Sequence, residues 1–133
     1  MSTPRQQVRA DSPFTEASPC DAAACARDRI FDAAKKLFRK FGVRGVSVDQ
    51  ISAEADTTKV TLYRVFDSKD DLLIKVLEDQ SKRMWTWWDG VLAEHEGDPR
   101  AQIEALFAEM RDCLIEDEGE RGCLLCNAAV EVV

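Results

Sequence analysis

Six side chains with hydrogen-bonding groups lie close together in the segment TTKVTLYRVF, which spans residues 57–66, and four of them are expected on or near its outward surface. These four are Lys59, Thr61, Tyr63 and Arg64. Arginine binds guanine through two hydrogen bonds, and a threonine methyl group contacts the thymine methyl. Tyrosine hydroxyls and lysine ammonium groups bind phosphates, which position a protein on DNA without reading its sequence. The segment therefore carries the side chains that a DNA-reading surface needs.

The cysteines form a second group with possible chemistry. There are five in the chain, and an odd number without a leader argues against a disulfide framework. Cys123 and Cys126 have CxxC spacing, but His95 is the only histidine and tetrahedral zinc needs about four ligands. We predict no metal and no cofactor. On a helix the two cysteines are neighbours that pack as small hydrophobic groups, with redox sensing as the alternative.

The other polar residues form no pattern typical of an enzyme. The sequence contains no grouping of serine, histidine and aspartate, no phosphate-binding loop and no set of metal ligands. A reactive site needs a nucleophile, a base and an orienting group within reach of one another. We therefore predict that the protein is not an enzyme.

Charge is unevenly distributed along the chain, whose formal net charge is −7. Residues 27–75 carry 11 basic and 8 acidic side chains, whereas residues 76–133 carry 5 basic and 14 acidic ones. An acidic protein binds DNA when its basic groups gather on one face. No apolar run approaches the roughly 20 residues that span a bilayer, and no apolar segment follows the arginines near the N-terminus. We expect a cytoplasmic protein that has no membrane partner.

The elements that must position the basic segment are short helices. Apolar residues from Ile30 to Phe41 recur at helical spacing, and Gly42 ends that first helix. Ser47 and Gln50 form a capping box for a second helix. Thr58 is the N-cap of a third helix, through about residue 65, with Leu62 and Phe66 facing inward. Ser68 caps a fourth helix, and the starts at residues 47, 58 and 68 offer N–H groups to phosphates.

Two short helices joined by a tight turn form a helix-turn-helix, whose second helix enters the DNA major groove. From spacing alone, a solvated face on a small helical bundle is an equally open interpretation. A further helix fits residues 100–115, and the apolar segment CLLCNAAVEVV follows with no partner expected within the chain. No strand pattern is present, so the predicted fold is all-α.

Aromatic and sulfur-containing side chains in the second half are candidates for a small-molecule site. They are Trp85, Trp88, Phe107, Met110 and Cys113. Core packing is the favoured interpretation for any one of them, because aromatic stripes at helical spacing usually are core. Trp85 and Trp88 share a helix face, whereas Trp87 points elsewhere and is expected to be exposed or at an interface.

The stretch from Arg27 to Leu73, about a third of the chain, closely resembles the DNA-binding domain of the TetR family of bacterial transcriptional regulators. The family pattern I-x-x-A-A-x-x-L-F is matched from Ile30 to Phe38, and the glycine after it by Gly42. The patterns T/S-V-x-x-I-A, S-K-x-T-L-Y-x-x-F and S-K-x-x-L-L are matched in the next three helices. Those matches are Ser47, Val48, Ile51, Thr58, Lys59, Thr61, Leu62, Tyr63, Phe66, Ser68, Lys69, Leu72 and Leu73. The segment GCLLCNAAVE also resembles a helix in the ligand-binding half of many members.

The resemblance implies a homodimeric repressor that binds a palindromic operator in double-stranded DNA and is released by a small-molecule inducer, which the sequence does not identify. Carried over by position, DNA contacts fall on Ser47, Thr58, Lys59, Thr61, Tyr63, Arg64 and Lys69. Tyr63 and Lys69 are then the expected phosphate contacts, and Arg64 and Thr61 the expected base readers.

The chain departs from the family pattern at three positions and in length. Asp56 stands where glycine is common and is expected to adopt the left-handed conformation. Thr57 replaces an apolar residue, and Val65 replaces a histidine or tyrosine that usually contacts phosphate. Members continue well past residue 133, so the part that completes the dimer bundle is expected to be truncated here.

The predicted organisation has three parts: a flexible tail at residues 1–26, a helix-turn-helix domain at 27–73, and a partial helical ligand-binding and dimerisation domain at 74–133. Two alternative functions remain open. One is a truncated helical module that pairs with other regulators without binding DNA. The other is a redox-sensing regulator that uses its thiols.

Overall fold

The computed structural model describes residues 26–116 and 122–132. The helices in these ranges are α1 (Ala26–Phe41), α2 (Val48–Glu54), α3 (Lys59–Val65), α4 (Lys69–Glu94), α5 (Pro99–Glu116) and α6 (Leu124–Val132). They include no strand, so the all-α prediction is confirmed for this part of the chain. The predicted tail lies outside the described residues up to residue 25, together with Cys20 and Cys25. None of the described helices combines the length and apolar character needed to cross a membrane.

The described residues divide into two compact units, and the division falls within α4. Residues 26–79 and 122–132 form the first, which we name the helix-turn-helix unit. Residues 80–116 form the second, which we name the α4–α5 unit. The domain boundary predicted after residue 73 stays a prediction about independent folding.

The core of the helix-turn-helix unit joins α1 to the two short helices that follow it. Ile30, Ala34 and Phe38 of α1 are fully buried, as are Ile51 of α2 and Leu62 of α3. These side chains recur at three- and four-residue intervals, which places them on one side of their helices. The predicted core stripe of α1 is wrong at its end, because Phe41 is exposed and lies beneath the Lys40 ammonium.

Helix α6 completes the same core. Leu124 and Ala128 are buried in the cluster formed by α1 to α4. The expectation that this apolar segment has no partner within the chain is therefore wrong. The sequence marked the segment as apolar but did not indicate its partner, which lies about 80 residues earlier in the chain.

The turns around α2 and α3 follow from local side-chain chemistry. The Ser47 hydroxyl accepts a hydrogen bond from the Gln50 N–H, and the Gln50 side chain accepts one from the Ser47 N–H, which confirms the capping box. Thr58 caps α3 as predicted. Asp56 has a φ of 50°, the left-handed conformation expected where the family uses glycine.

Candidate DNA-recognition surface

Helix α3 is fixed to its unit by its inner face. Leu62 is buried, and so is Phe66, the residue that directly follows α3. The Phe66 ring also lies 5.2 Å from the Arg27 guanidinium and 5.4 Å from the Lys75 ammonium. A cation over an aromatic face contributes about 0.5–2 kcal/mol, depending on its exposure. The end of α3 is therefore held by both apolar packing and charge.

The outer face of α3 presents polar and aromatic side chains to solvent. Tyr63 is 51% exposed, and Lys59 and Arg64 are also exposed. Among the described residues, Arg64 has no hydrogen-bond or ion-pair partner. A guanidinium has about five N–H donors. Arg64 therefore offers a complete donor set to a ligand, as the sequence analysis expected of a base reader.

Val60 also belongs to this face, although the sequence analysis did not select it. It is 68% exposed, one turn before Tyr63 and Arg64 on the same side of the helix. The sequence did contain a sign of this exposure. Val60 is not at helical spacing from the inward-facing Leu62 and Phe66, so it falls outside the core face. An apolar side chain in the major groove contacts thymine methyl groups.

Thr58, the cap of α3, and Thr61, in the first turn of that helix, hydrogen-bond to each other. The Thr58 hydroxyl accepts a bond from the Thr61 N–H at 3.2 Å, and the two hydroxyl oxygens are 3.0 Å apart. Thr61 is half-buried, so it is less accessible than the other predicted contacts on α3. Thr58 is the cap, and Thr61 donates the backbone N–H that the cap binds. The role of Thr61 in reading bases stays a prediction.

Lys59 forms an ion pair that the sequence analysis missed. Its Nζ lies 2.8 Å from a carboxylate oxygen of Asp49, in the first turn of α2. The hydrogen bond to Asp49 raises the pKa of Lys59 above its ordinary value, and the charge of that carboxylate acts in the same direction. Asp49 therefore places a negative charge beside α3 and holds the Lys59 ammonium. Acidic residues are common in the first turn of a helix, so the presence of Asp49 there did not indicate an ion pair with Lys59.

The two remaining predicted contacts also take part in local hydrogen bonds. The Lys69 ammonium donates to the Val43 carbonyl at 2.7 Å. The Ser47 hydroxyl is exposed but belongs to the capping box of α2. An ammonium carries about three donors, so Lys69 retains capacity for a phosphate. The structure therefore brings α2, α3 and the start of α4 together, with their polar side chains partly used to hold the unit.

The candidates for a small-molecule site differ widely in exposure. Trp85 is 57% exposed and Phe107 is 68% exposed, Trp88 and Met110 are half-buried, and Cys113 is buried. The rings of Trp85 and Trp88 meet edge to face at 6.1 Å, as their spacing predicted. Trp87 was expected to be exposed or at an interface, but it is the buried tryptophan, at 2% exposure. The α4–α5 unit thus gives no enclosed arrangement of the five candidates among its described residues.

Comparison with known proteins places this geometry in context. Residues 30–76 match the family model described as bacterial regulatory proteins, tetR family. An uncharacterized HTH-type transcriptional regulator from Lactococcus lactis is 29% identical over 112 residues, which are 80% of this chain and 54% of the relative. The HTH-type transcriptional repressor NicS of Pseudomonas putida is 44% identical over 52 residues, 39% of this chain and 24% of the relative.

A solved structure shows the same fold. The crystal structure of a TetR-family transcriptional regulator from Streptomyces coelicolor superposes with a TM-score of 0.70 at 32% identity. The superposition covers 80% of this chain and 56% of that one. The chain therefore spans about half the length of these two relatives.

Proposed function

We propose, from the match of residues 30–76 to the tetR family of bacterial regulatory proteins, that this chain is a transcriptional repressor of that family and binds DNA through α2 and α3. The observation that carries the proposal is the outer face of α3. That face combines exposed Tyr63 with Arg64, for which no partner lies in the described part of the chain. A buried inner face fixes the helix beneath them, so both side chains project from a helix of fixed position, as a major-groove contact requires.

The roles of the individual residues follow from their chemistry and surroundings. Arg64 reads a guanine, with Val60 and Thr61 contacting thymine methyl groups nearby. Tyr63, Lys59 and Lys69 bind phosphates, and the helix starts at Ser47 and Thr58 add backbone N–H groups. Lys59 must exchange its Asp49 carboxylate for a phosphate to take part.

We propose further that the protein acts as a homodimer on a palindromic operator and that a small molecule releases it. Two helix-turn-helix motifs related by a two-fold axis match two half-sites about one DNA turn apart. The inducer would bind in the α4–α5 unit, where Trp85, Trp88, Phe107, Met110 and Cys113 supply aromatic and apolar surface. Relatives with names of repressors support the direction of regulation.

The test selects a binding sequence from a pool of random DNA duplexes and measures affinity by fluorescence anisotropy at several salt concentrations. We expect one palindromic sequence to be enriched, with an affinity that falls steeply as salt rises. Arg64→Ala should lose about 1–3 kcal/mol at one base-pair position and relax the selected sequence there. Tyr63→Ala should weaken binding to all sequences alike.

Arg100→Ala is the matched control, because Arg100 is an exposed arginine of the α4–α5 unit that pairs with Glu104. It removes the same charge and should leave the selected sequence unchanged. Failure to enrich any sequence at low salt would refute the proposal. So would an Arg64→Ala protein that selects the wild-type sequence with wild-type affinity.

A second candidate function is a helical module that pairs with other regulators and does not bind DNA. The observation in its favour is the set of large apolar side chains exposed in the α4–α5 unit, which are Trp85, Ile103, Phe107 and Ile115. Exposed apolar groups of this kind mark interaction surfaces. Sedimentation distinguishes the two functions, because a stable homodimer supports the repressor and a monomer that pairs with a full-length relative supports the module.

A further inference from the structure

We propose that Cys123 and Cys126 form a reversible dithiol–disulfide pair, oxidised by hydroperoxides, that loosens α6 from the helix-turn-helix unit. The DNA-binding function does not use these cysteines. The consequence for regulation, a lower DNA affinity after oxidation, rests on the proposed function. The thiol chemistry and the loosening of α6 do not depend on it.

The two thiols lie at the start of a helix. Cys123 directly precedes α6, and its carbonyl accepts the backbone bond from the Asn127 N–H at 3.0 Å, so Cys126 lies in the first turn. Cys123 is half-buried and Cys126 is exposed. Both are free thiols, and a dissolved oxidant can reach the sulfur of Cys126.

The thiols also interact with each other. The pKa of Cys126 is raised, first because its thiol hydrogen-bonds with that of Cys123 and then because charge on the Cys123 sulfur disfavours a second negative charge beside it. Contact between the sulfurs is the condition for a disulfide. A raised pKa lowers the thiolate fraction of Cys126, which slows its reaction with oxidants.

Oxidation requires a change in shape at the start of α6. Cys123 directly precedes the helix and Cys126 lies three residues on, a spacing at which Cβ atoms on a helix are about 5–6 Å apart. A disulfide needs about 3.5–4.5 Å between its Cβ atoms, so closing the bond draws the first turn together. A disulfide under such strain is more easily reduced, which makes the pair reversible.

The distorted turn belongs to a helix that contacts the region before α2. Leu124, next to Cys123, is buried in the core of the helix-turn-helix unit, and so is Ala128 one turn later. Another turn on, a carboxylate oxygen of Glu131 accepts a hydrogen bond from the Arg44 N–H at 2.9 Å. Arg44 lies between α1 and α2, three residues before the Ser47 cap. A shift of α6 therefore breaks a contact with the loop that positions the recognition helices.

The reaction balances with one peroxide per pair. The Cys126 thiolate attacks the peroxide O–O bond and forms a sulfenic acid, while hydroxide or alkoxide leaves and takes a proton. The Cys123 sulfur then attacks the sulfenic sulfur and expels water. The two thiols lose two electrons and two protons in total, and the peroxide is reduced to water or to water and an alcohol.

The experiment treats the full chain with hydrogen peroxide, in a background where Cys20→Ser and Cys25→Ser remove two competing thiols. Peptide mapping without reduction should find the Cys123–Cys126 disulfide, and dithiothreitol should reverse it. Hydrogen exchange should then show the Arg44 amide opening about tenfold faster in the oxidised protein. Cys126→Ser should abolish the response to peroxide. Glu131→Ala should speed hydrogen exchange at the Arg44 amide even when no peroxide is added.

Several outcomes would overturn the proposal: no disulfide between these two residues, or a disulfide that leaves Arg44 exchange unchanged. These measurements contain no DNA, so they succeed or fail apart from the proposed function. DNA affinity is measured last, with an expected decrease of about tenfold on oxidation. Equal affinity in the two states would refute the regulatory consequence, whereas a reduced protein that binds no DNA would refute the proposed function.

Discussion

The two units of the chain use apolar residues in opposite ways. The helix-turn-helix unit buries a connected cluster of sixteen apolar side chains and, among its described polar side chains, buries only Ser52. In the described part of the α4–α5 unit the buried apolar side chains are Trp87, Val91 and Cys113, and the polar side chains Gln80 and Glu109 are also buried. The first unit is closed by its own helices. The second leaves the large apolar side chains of Trp85, Ile103 and Phe107 exposed.

The largest expected difference between the units comes from removing a phenylalanine from each. Phe38→Ala removes a fully buried ring and should lower the free energy of unfolding by about 3–5 kcal/mol. Phe107→Ala removes a ring that is mostly exposed, so the change should stay within about 0.5 kcal/mol. Urea unfolding followed by helical circular dichroism measures both. A large loss from Phe107→Ala would mean that another surface covers α5 in solution.

Two glycines provide the next comparison. Gly42 has a φ of 75°, and a Cβ built there would lie 2.5 Å from a carboxylate oxygen of Glu131. Gly42→Ala should cost about 1–3 kcal/mol, because alanine is strained in this conformation and displaces Glu131. Gly90 lies within α4, where an added Cβ would meet no atom within 4 Å. Gly90→Ala should stabilise the protein by about 0.5–1 kcal/mol through helix propensity.

Thermal unfolding of both alanine variants, with the wild type as reference, shows whether each substitution stabilises or destabilises the protein. The prediction fails if both substitutions have the same sign. That result would mean that the loop at Gly42 relaxes freely or that α4 is not a continuous helix at Gly90.

How far sequence reasoning reached also differs between the units. In the helix-turn-helix unit, Ser47, Thr58 and Asp56 have the predicted capping and turn geometry, since each acts on a backbone group within a few residues. The recognition face followed from the inward spacing of Leu62 and Phe66 in the same way. Local chemistry was sufficient there because neighbouring residues provide the partners.

Contacts between distant residues were beyond the reach of sequence patterns. The bond between Arg44 and Glu131 joins residues 87 positions apart, and nothing near either residue indicates it. The helix predicted over residues 100–115 is present, yet Ile103 and Phe107, which lie four residues apart on it, are both exposed. An apolar stripe defines a face of a helix without naming what covers it. The exposures of Trp85 and Trp87 were reversed for the same reason.

The surface charge beside α3 gives a prediction of moderate size. Asp49→Asn removes the carboxylate that holds Lys59, so the pKa of Lys59 should fall toward its ordinary value. The freed ammonium and the lost negative charge should raise DNA affinity about threefold to tenfold. The affinity should also fall more steeply with salt concentration, by the amount expected for about one additional phosphate contact. Anisotropy titrations on the selected operator measure this effect.

Asp89→Asn is the control for that change, since it removes an exposed carboxylate from the α4–α5 unit. Its affinity should match that of the wild type. An Asp49→Asn protein that binds no more tightly would show that Lys59 stays away from DNA, and the phosphate role would pass to Tyr63 and Lys69.

The smallest expected effect concerns Ser52, the buried polar side chain among the described residues of the helix-turn-helix unit. Ser52 is buried on α2, and its hydroxyl has no hydrogen-bond partner among the described residues. An unsatisfied buried hydroxyl costs free energy, and alanine is also the better helix former, so Ser52→Ala should stabilise by about 0.5–1 kcal/mol. Ser47→Ala is the matched control on the same helix: its hydroxyl caps α2, and its loss should destabilise by about 1 kcal/mol. Urea unfolding of the two variants should give opposite signs. If Ser52→Ala destabilises, that hydroxyl has a partner in solution, and the helix-turn-helix unit buries a satisfied polar group in a core that would otherwise be entirely apolar.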